Sequence, residues 1–240
     1  NIKAVKDYFI KLQMDILNAI EIVDGNNFLV DSWQRSEGGG GTTCILENGK
    51  LFERAGIGFS HVLGSQLPKS ATDAHPEITN SKWEAIGVSL VFHPHNPYIP
   101  TVHMNVRFFN ANANNKNTWW FGGGMDLTPY YGFEEDAKHF HNTIKTTLNS
   151  FGENLYPEFK KNCDEYFFLK HRKEPRGIGG IFFDDFNRQS FDFSFDFTKE
   201  VGNTFLKAYL PILQKRRNHK FSKDEKEFQQ LLKDNFKTAL

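Results

Sequence analysis

The stretch VSLVFHPHNPYIPTVHMNVRFF, Val88 to Phe109, sets three histidines, a serine, two asparagines and an arginine among residues that otherwise read as buried strand. Side chains alternate faces along a strand. His103, Asn105 and Arg107 therefore share one face of the second half, with Met104, Val106 and Phe108 on the other. In the first half Ser89, Val91 and His93 share a face, opposite Val88, Leu90 and Phe92. The proline-rich link PHNPYIPT is short enough to make the two strands antiparallel neighbours, which brings both polar faces into one patch. Alternation by itself also fits a strand face turned to water. Residue type separates the two readings: a solvated face carries Lys, Glu and Thr, whereas Asn-x-Arg flanked by His offers directed donors suited to carboxylates.

Around this stretch the chain alternates strand and helix patterns. Further strands are expected in TTCILENGKLFERAG, with a tight primed-turn hairpin at Asn48-Gly49, and in TWWFGGGMDLTPYY and GIGGIFFDDF. Ile2, Val5, Phe9, Leu12, Ile16 and Ile20 recur at helical steps, and FEEDAKHFHNTIKTTLNSF, PEFKKNCDEYFFLKHRK and KEVGNTFLKAYLPILQKRR also read as helices, the last kinked at Pro211. Short links between strands, with helices before, between and after them, predict an α+β fold: one domain over residues 1–240, with an antiparallel sheet covered by helices. The run EGGGG precedes a strand and lacks a following Gly-Lys-Ser/Thr, so it does not read as a phosphate loop.

Lys plus Arg equals Asp plus Glu at 29 each in 240 residues, which argues against a nucleic-acid partner. No apolar run approaches a bilayer span, and the N-terminal segment is amphipathic rather than signal-like. Cys44 and Cys163 are far apart and show no metal spacing, so free thiols are expected.

Candidate site residues come from several segments. Asp126 follows three glycines that leave room for a ligand to approach the backbone, although aspartate is also common in turns. Arg176 opens another glycine-rich strand that ends in Asp184-Asp185, which read as a turn or helix cap. His141 falls on the apolar face of its helix, and His171 is expected near the end of the next one. His93, His103, His141 and His171 could converge on a divalent metal, which leaves a histidine-metal oxygenase or hydrolase open, but their spacing matches no metal motif.

Taken together, EGGGG, GFSHVLG, LPKSAT, GVSLVFHPHNPYIPTVHMNVRFF, WWFGGGMDLTPYYGFEEDAKHFH, CDEYFFLKHR and RGIGGIFFDDFN resemble the oxygen-dependent coproporphyrinogen III oxidase family, from the first helix to about Gln229. The resemblance implies a large flat antiparallel sheet sandwiched between helices, and a homodimer. It implies oxidative decarboxylation of the ring A and B propionates of coproporphyrinogen III to vinyls, giving protoporphyrinogen IX. O2 is consumed, CO2 released and H2O2 formed, with no organic cofactor. By position, His103 becomes the acid/base and Asp126 the carboxylate facing the pyrrole N–H groups. Ser89, Asn105, Arg107 and Arg176 become substrate contacts, the two arginines as propionate partners. His93, His103, His141 and His171 match histidines proposed as metal ligands in some members.

After EKEFQ the family continues with an Arg- and Gly-rich region that includes a Gly-Gly-Arg substrate loop. This chain instead reads QLLKDNFKTAL, so that segment is expected to be missing or altered. The alternative function is then an impaired homologue that at most binds tetrapyrrole. The expected compartment is cytoplasmic, or mitochondrial or plastid if a presequence has been removed.

Overall fold

Seven strands form one sheet in the order 29–34, 39–47, 52–64, 82–94, 101–113, 116–128 and 179–186, each antiparallel to its neighbours. The computed structural model describes residues 1–65, 67, 75–79, 81–113 and 116–237, which leaves most of LPKSAT and the last three residues outside the described part. The elements run α1 (Ile2–Asp24), β1 (Leu29–Gln34), β2 (Gly39–Glu47), β3 (Phe52–Gly64), a 3-10 turn (Pro76–Ile78), β4 (Lys82–Pro94), β5 (Thr101–Ala113) and β6 (Lys116–Thr128). They continue with α2 (Glu134–Asn149), α3 (Leu155–Tyr166), the small hairpin β7 (Phe168–Leu169) and β8 (Glu174–Pro175), β9 (Gly179–Phe186), α4 (Phe191–Arg216) and α5 (Lys223–Lys237). The α+β expectation is met, with a seven-stranded antiparallel sheet, the small β7–β8 pair and five helices among the described residues.

The period-2 pattern of the opening stretch sets the two faces of the sheet. Val88, Phe92, Val106 and Phe108 are buried on the face that meets α1 and α4. Phe92 meets Phe205 of α4 at 5.9 Å between ring centroids, and Phe121 stacks on Phe195 at 5.7 Å. Tyr8 of α1 meets the same Phe195 edge-on at 5.9 Å and so ties the two helices together. Each such phenylalanine contributes about 1.5–3 kcal/mol by leaving water, so this face carries most of the fold's cohesion. Both α1 and α4 lie on this face. α3 packs along β9 through Phe159, which meets Phe183 at 5.5 Å, and its end brings Tyr166 and Phe167 round to the opposite face. That face, which carries Ser89, His103, Asn105 and Arg107, forms the floor of a cavity.

Three local expectations change. The Asn48-Gly49 hairpin exists, but its link is longer than two residues, because Asp24 at the end of α1 accepts the backbone N–H groups of Lys50, Leu51 and Phe52 at 3.0, 2.8 and 3.2 Å. The helix expected to run to Lys173 ends at Tyr166, so His171 sits exposed in the β7–β8 turn and not on a helix. α4 begins at Phe191, eight positions before the expected Lys199, with Ser190 accepting from the backbone N–H of Phe193 as its cap. It runs uninterrupted through Pro211. A proline lacks the N–H that would bond four residues back, and the carbonyl of Lys207 instead meets His139 Nε2 at 3.2 Å. β1, an edge strand, has no counterpart among the expected strands.

Candidate active site

The register of the central strands assembles the site. Ser89 pairs with Asn105, and Val91 with His103, across β4 and β5, while His103 lies opposite Asp126 and Asn105 opposite Gly124 across β5 and β6. The two polar faces therefore meet as their alternation predicted. Above them lies a cavity of about 770 Å³ lined by Ser89, His103, Asn105, Arg107, Asp126 and Arg176, among others. Much of its floor is bare main chain. A Cβ placed on Gly56 would meet nothing within 4 Å, and one on Gly58 would meet only the Ser89 carbonyl at 3.9 Å, so both positions open directly into the cavity.

Asp126 is the electrostatic centre. It is 3 % exposed in mid-strand, and Arg176 donates to both of its oxygens, Nε to Oδ2 at 3.0 Å and Nη2 to Oδ1 at 2.8 Å. His103 Nδ1 lies 3.4 Å from Oδ2, an ion-pair distance whose geometry falls short of a hydrogen bond; this nitrogen is buried without a hydrogen-bond partner among the described residues. Burial pushes the Asp126 carboxyl up, but pairing with His103 and Arg176 outweighs it and holds the group below the usual carboxylate range. Asp126 is therefore a carboxylate at neutral pH, with an imidazole and a guanidinium at its two oxygens. Arg176 was expected to face a propionate; its bidentate grip on Asp126 makes it first the partner of that carboxylate.

Arg107 lies further along the same face. Its Nη1 donates to Asn105 Oδ1 at 2.9 Å, its Nη2 pairs with Asp184 at 2.9 Å, and Asn105 Nδ2 reaches the Val88 carbonyl at 3.3 Å. Asp184, expected to be a turn or cap residue, thus holds a site arginine. Asp185, in the left-handed region at φ 49°, meets His75 Nε2 at 3.0 Å. The β9 side of the cavity is an aromatic wall. Tyr166 stacks on Phe182 at 4.1 Å and 17°, Arg176 Cζ lies 3.9 Å from the Phe167 ring centre, and Arg107 Cζ lies 5.7 Å from that of Phe182. Such faces hold guanidiniums by cation–π attraction and offer flat apolar surface to a ligand.

The four histidines matched to a metal set have other surroundings. His141 uses both ring nitrogens, with Nε2 on the Ile178 carbonyl at 2.9 Å and Nδ1 accepting from Tyr156 Oη at 2.9 Å. Its imidazole is held below its ordinary pKa by burial. His93 Nδ1 is 3.3 Å from Thr101 Oγ1, and His171 is exposed in its turn. Among the described residues no three His, Cys, Asp or Glu side chains are grouped to hold a metal ion. Cys44 and Cys163 are free and buried, as expected, and burial pushes the Cys163 thiol up to about 12, away from nucleophilic use. Among the described residues no helix is long and apolar enough to cross a membrane.

The cavity thus joins an open main-chain floor and an aromatic wall to a buried carboxylate and several guanidiniums. The family model described as coproporphyrinogen III oxidase matches residues 4–236, past Gln229 where the resemblance was expected to end. The chain belongs to the coproporphyrinogen III oxidase family, oxidoreductases of porphyrin biosynthesis.

Proposed function

We propose that the protein is an oxygen-dependent coproporphyrinogen III oxidase, converting the ring A and B propionates to vinyls. The observation that carries this reading is the wide cavity over a glycine floor, with an ionised Asp126 at one end and Arg107 further along the same sheet face. A porphyrinogen is a bulky macrocycle with pyrrole N–H donors inside and carboxylates outside. It needs an apolar slot, an acceptor for the N–H groups and cations for the carboxylates.

In this reading Asp126 accepts from the pyrrole N–H groups, and Arg176 keeps it ionised and correctly turned. Arg107, steadied by Asn105, holds a propionate carboxylate, and Ser89 contacts the ring from β4. His103 is the group placed to move a proton beside the reacting ring. For each propionate carboxylate, loss of a β-hydrogen and of CO2 releases two electrons and one proton, which with a second proton from solvent reduce one O2 to H2O2. The macrocycle supplies the electrons, so the protein's work is to bind, orient and move a proton.

The test is protoporphyrin fluorescence after incubation with coproporphyrinogen III, in air and without oxygen, against an autoxidation blank. Product formed only in air supports the reading. No product from folded chain that still binds porphyrin leaves a tetrapyrrole-binding homologue without turnover.

A further inference from the structure

The cavity does not end at the Asp126 cluster. Its far side reaches β2 and β3, where Thr43, Ile45, Glu47 and Arg54 line it. Arg54 meets Glu47, its cross-strand partner, through Nη2 at 3.1 Å. The bland account is a solvated cross-strand ion pair, which is common in antiparallel sheets and contributes little.

The backbone argues otherwise. Phe52 and Arg54 are two residues apart, and in a regular strand they would share a face. Phe52 is instead fully buried on the helical face, 5.4 Å from Phe92, while Arg54 lines the cavity on the other. The pairing shifts between them: Phe52 lies opposite Pro94 and Arg54 opposite His93, a bulge at Glu53. Bulges re-aim side chains beside functional sites. This one is clamped from outside the sheet. The Glu53 carboxylate takes Lys233 Nζ at 2.8 Å and Lys226 Nζ at 3.3 Å, both from α5, and its carbonyl accepts from Asn48 N at 2.9 Å. Lys233 is itself buried, so the clamp is built into the packing.

We infer that Arg54 is a second carboxylate subsite, aimed into the cavity by the bulge and set at the end opposite Asp126. Register gives its reach: Asp126, His103, Val91 and Gly56 lie in line across β6 to β3. Those steps amount to roughly 14 Å, and Arg54 lies about 7 Å further along β3. A small mono-acid cannot touch both ends, but a macrocycle with carboxylates on opposite sides can. The inference rests on the porphyrinogen reading and extends it to the substrate's far side.

The test uses coproporphyrin III, the stable aromatised tetra-acid, and its uncharged tetra-amide, titrated by fluorescence quenching against wild type, Arg54→Gln and Arg54→Lys. Arg54 is 71 % exposed on its side chain, so neither substitution threatens folding and the expected effect is modest. Arg54→Gln should weaken the tetra-acid about threefold to fivefold and leave the tetra-amide unchanged, with Arg54→Lys recovering most of the loss. An equal loss for both ligands, or no loss for the tetra-acid, overturns the subsite while leaving the proposed activity standing. Wild type that binds neither ligand overturns both.

Discussion

Arg176 and Asp126 lie fifty residues apart and meet as a bidentate pair, with both carboxylate oxygens engaged at 2.8 and 3.0 Å, in a region where Asp126 is almost wholly buried. Two consequences follow from this pairing, which outweighs the burial of the carboxyl. The charge on Asp126 is fixed, and so is its orientation towards the cavity. Asp126→Asn keeps the shape but leaves the guanidinium facing a neutral amide, and removing one partner of a buried pair costs about 3 kcal/mol. Urea denaturation of the variant should show a loss of that order together with lost turnover. Full turnover would dismiss Asp126 as the acceptor. The folded-state pKa of Asp126 is depressed. The pair's stabilisation is therefore complete above the unfolded carboxyl's value of about 3.9 and is lost as pH falls through the folded one.

Arg107 is shared between Asn105 and Asp184, and Asp184 is nearly half exposed at the cavity's edge. A substrate carboxylate must compete with Asp184 for the same fork. Asp184→Asn removes that competitor and a repelling charge, so KM for a polycarboxylate substrate should fall about threefold at low salt, with little change in kcat. The difference should shrink in high salt. A rise in KM would mean that Asp184 mainly steadies Arg107.

Gly56→Val separates the fold from the site. Valine suits a strand, and nothing near the built Cβ obstructs it. Thermal stability should be unchanged or slightly higher, while turnover falls more than about tenfold as the floor fills. Retained turnover would place the ligand elsewhere than over β3.

His141 makes a different prediction. Burial depresses its pKa, and both its nitrogens are bonded in the neutral form. The unfolded chain therefore takes up a proton before the folded one does. Its stabilisation is present above the unfolded value of about 6.5 and declines as pH falls towards the folded one. Denaturation midpoints at about pH 7.5 and about pH 5.5 should differ more for wild type than for His141→Gln. Equal slopes would remove His141 from the acid sensitivity.

What was legible followed from local periodicity. Alternation in β4 and β5 placed Ser89, Asn105 and His103 on one face, and the short link between the strands fixed their pairing. What was hidden depended on distant partners. Arg54 looks like any hairpin charge until the bulge at Glu53 is seen, and the bulge is held by lysines of α5. Asp184 resembled a turn acid because its partner Arg107 lies on a strand far off in sequence. FDFSFDF shows no helical period, so only the Ser190 cap and packing on the sheet reveal that α4 starts there. His171 was misplaced because the aromatic run after Tyr166 continues the apolar pattern past the end of the helix.

The cavity owes depth to side chains that are missing at Gly56 and Gly58. Over Gly56 and Gly58 a bound ring would rest on peptide planes, a surface that substitution can only raise. Variation among descendants of this chain is therefore confined to the border. Changes at Arg54, Arg107 or the Tyr166 wall can retune which carboxylated rings are accepted, while the bed beneath them admits deeper ligands only by staying bare.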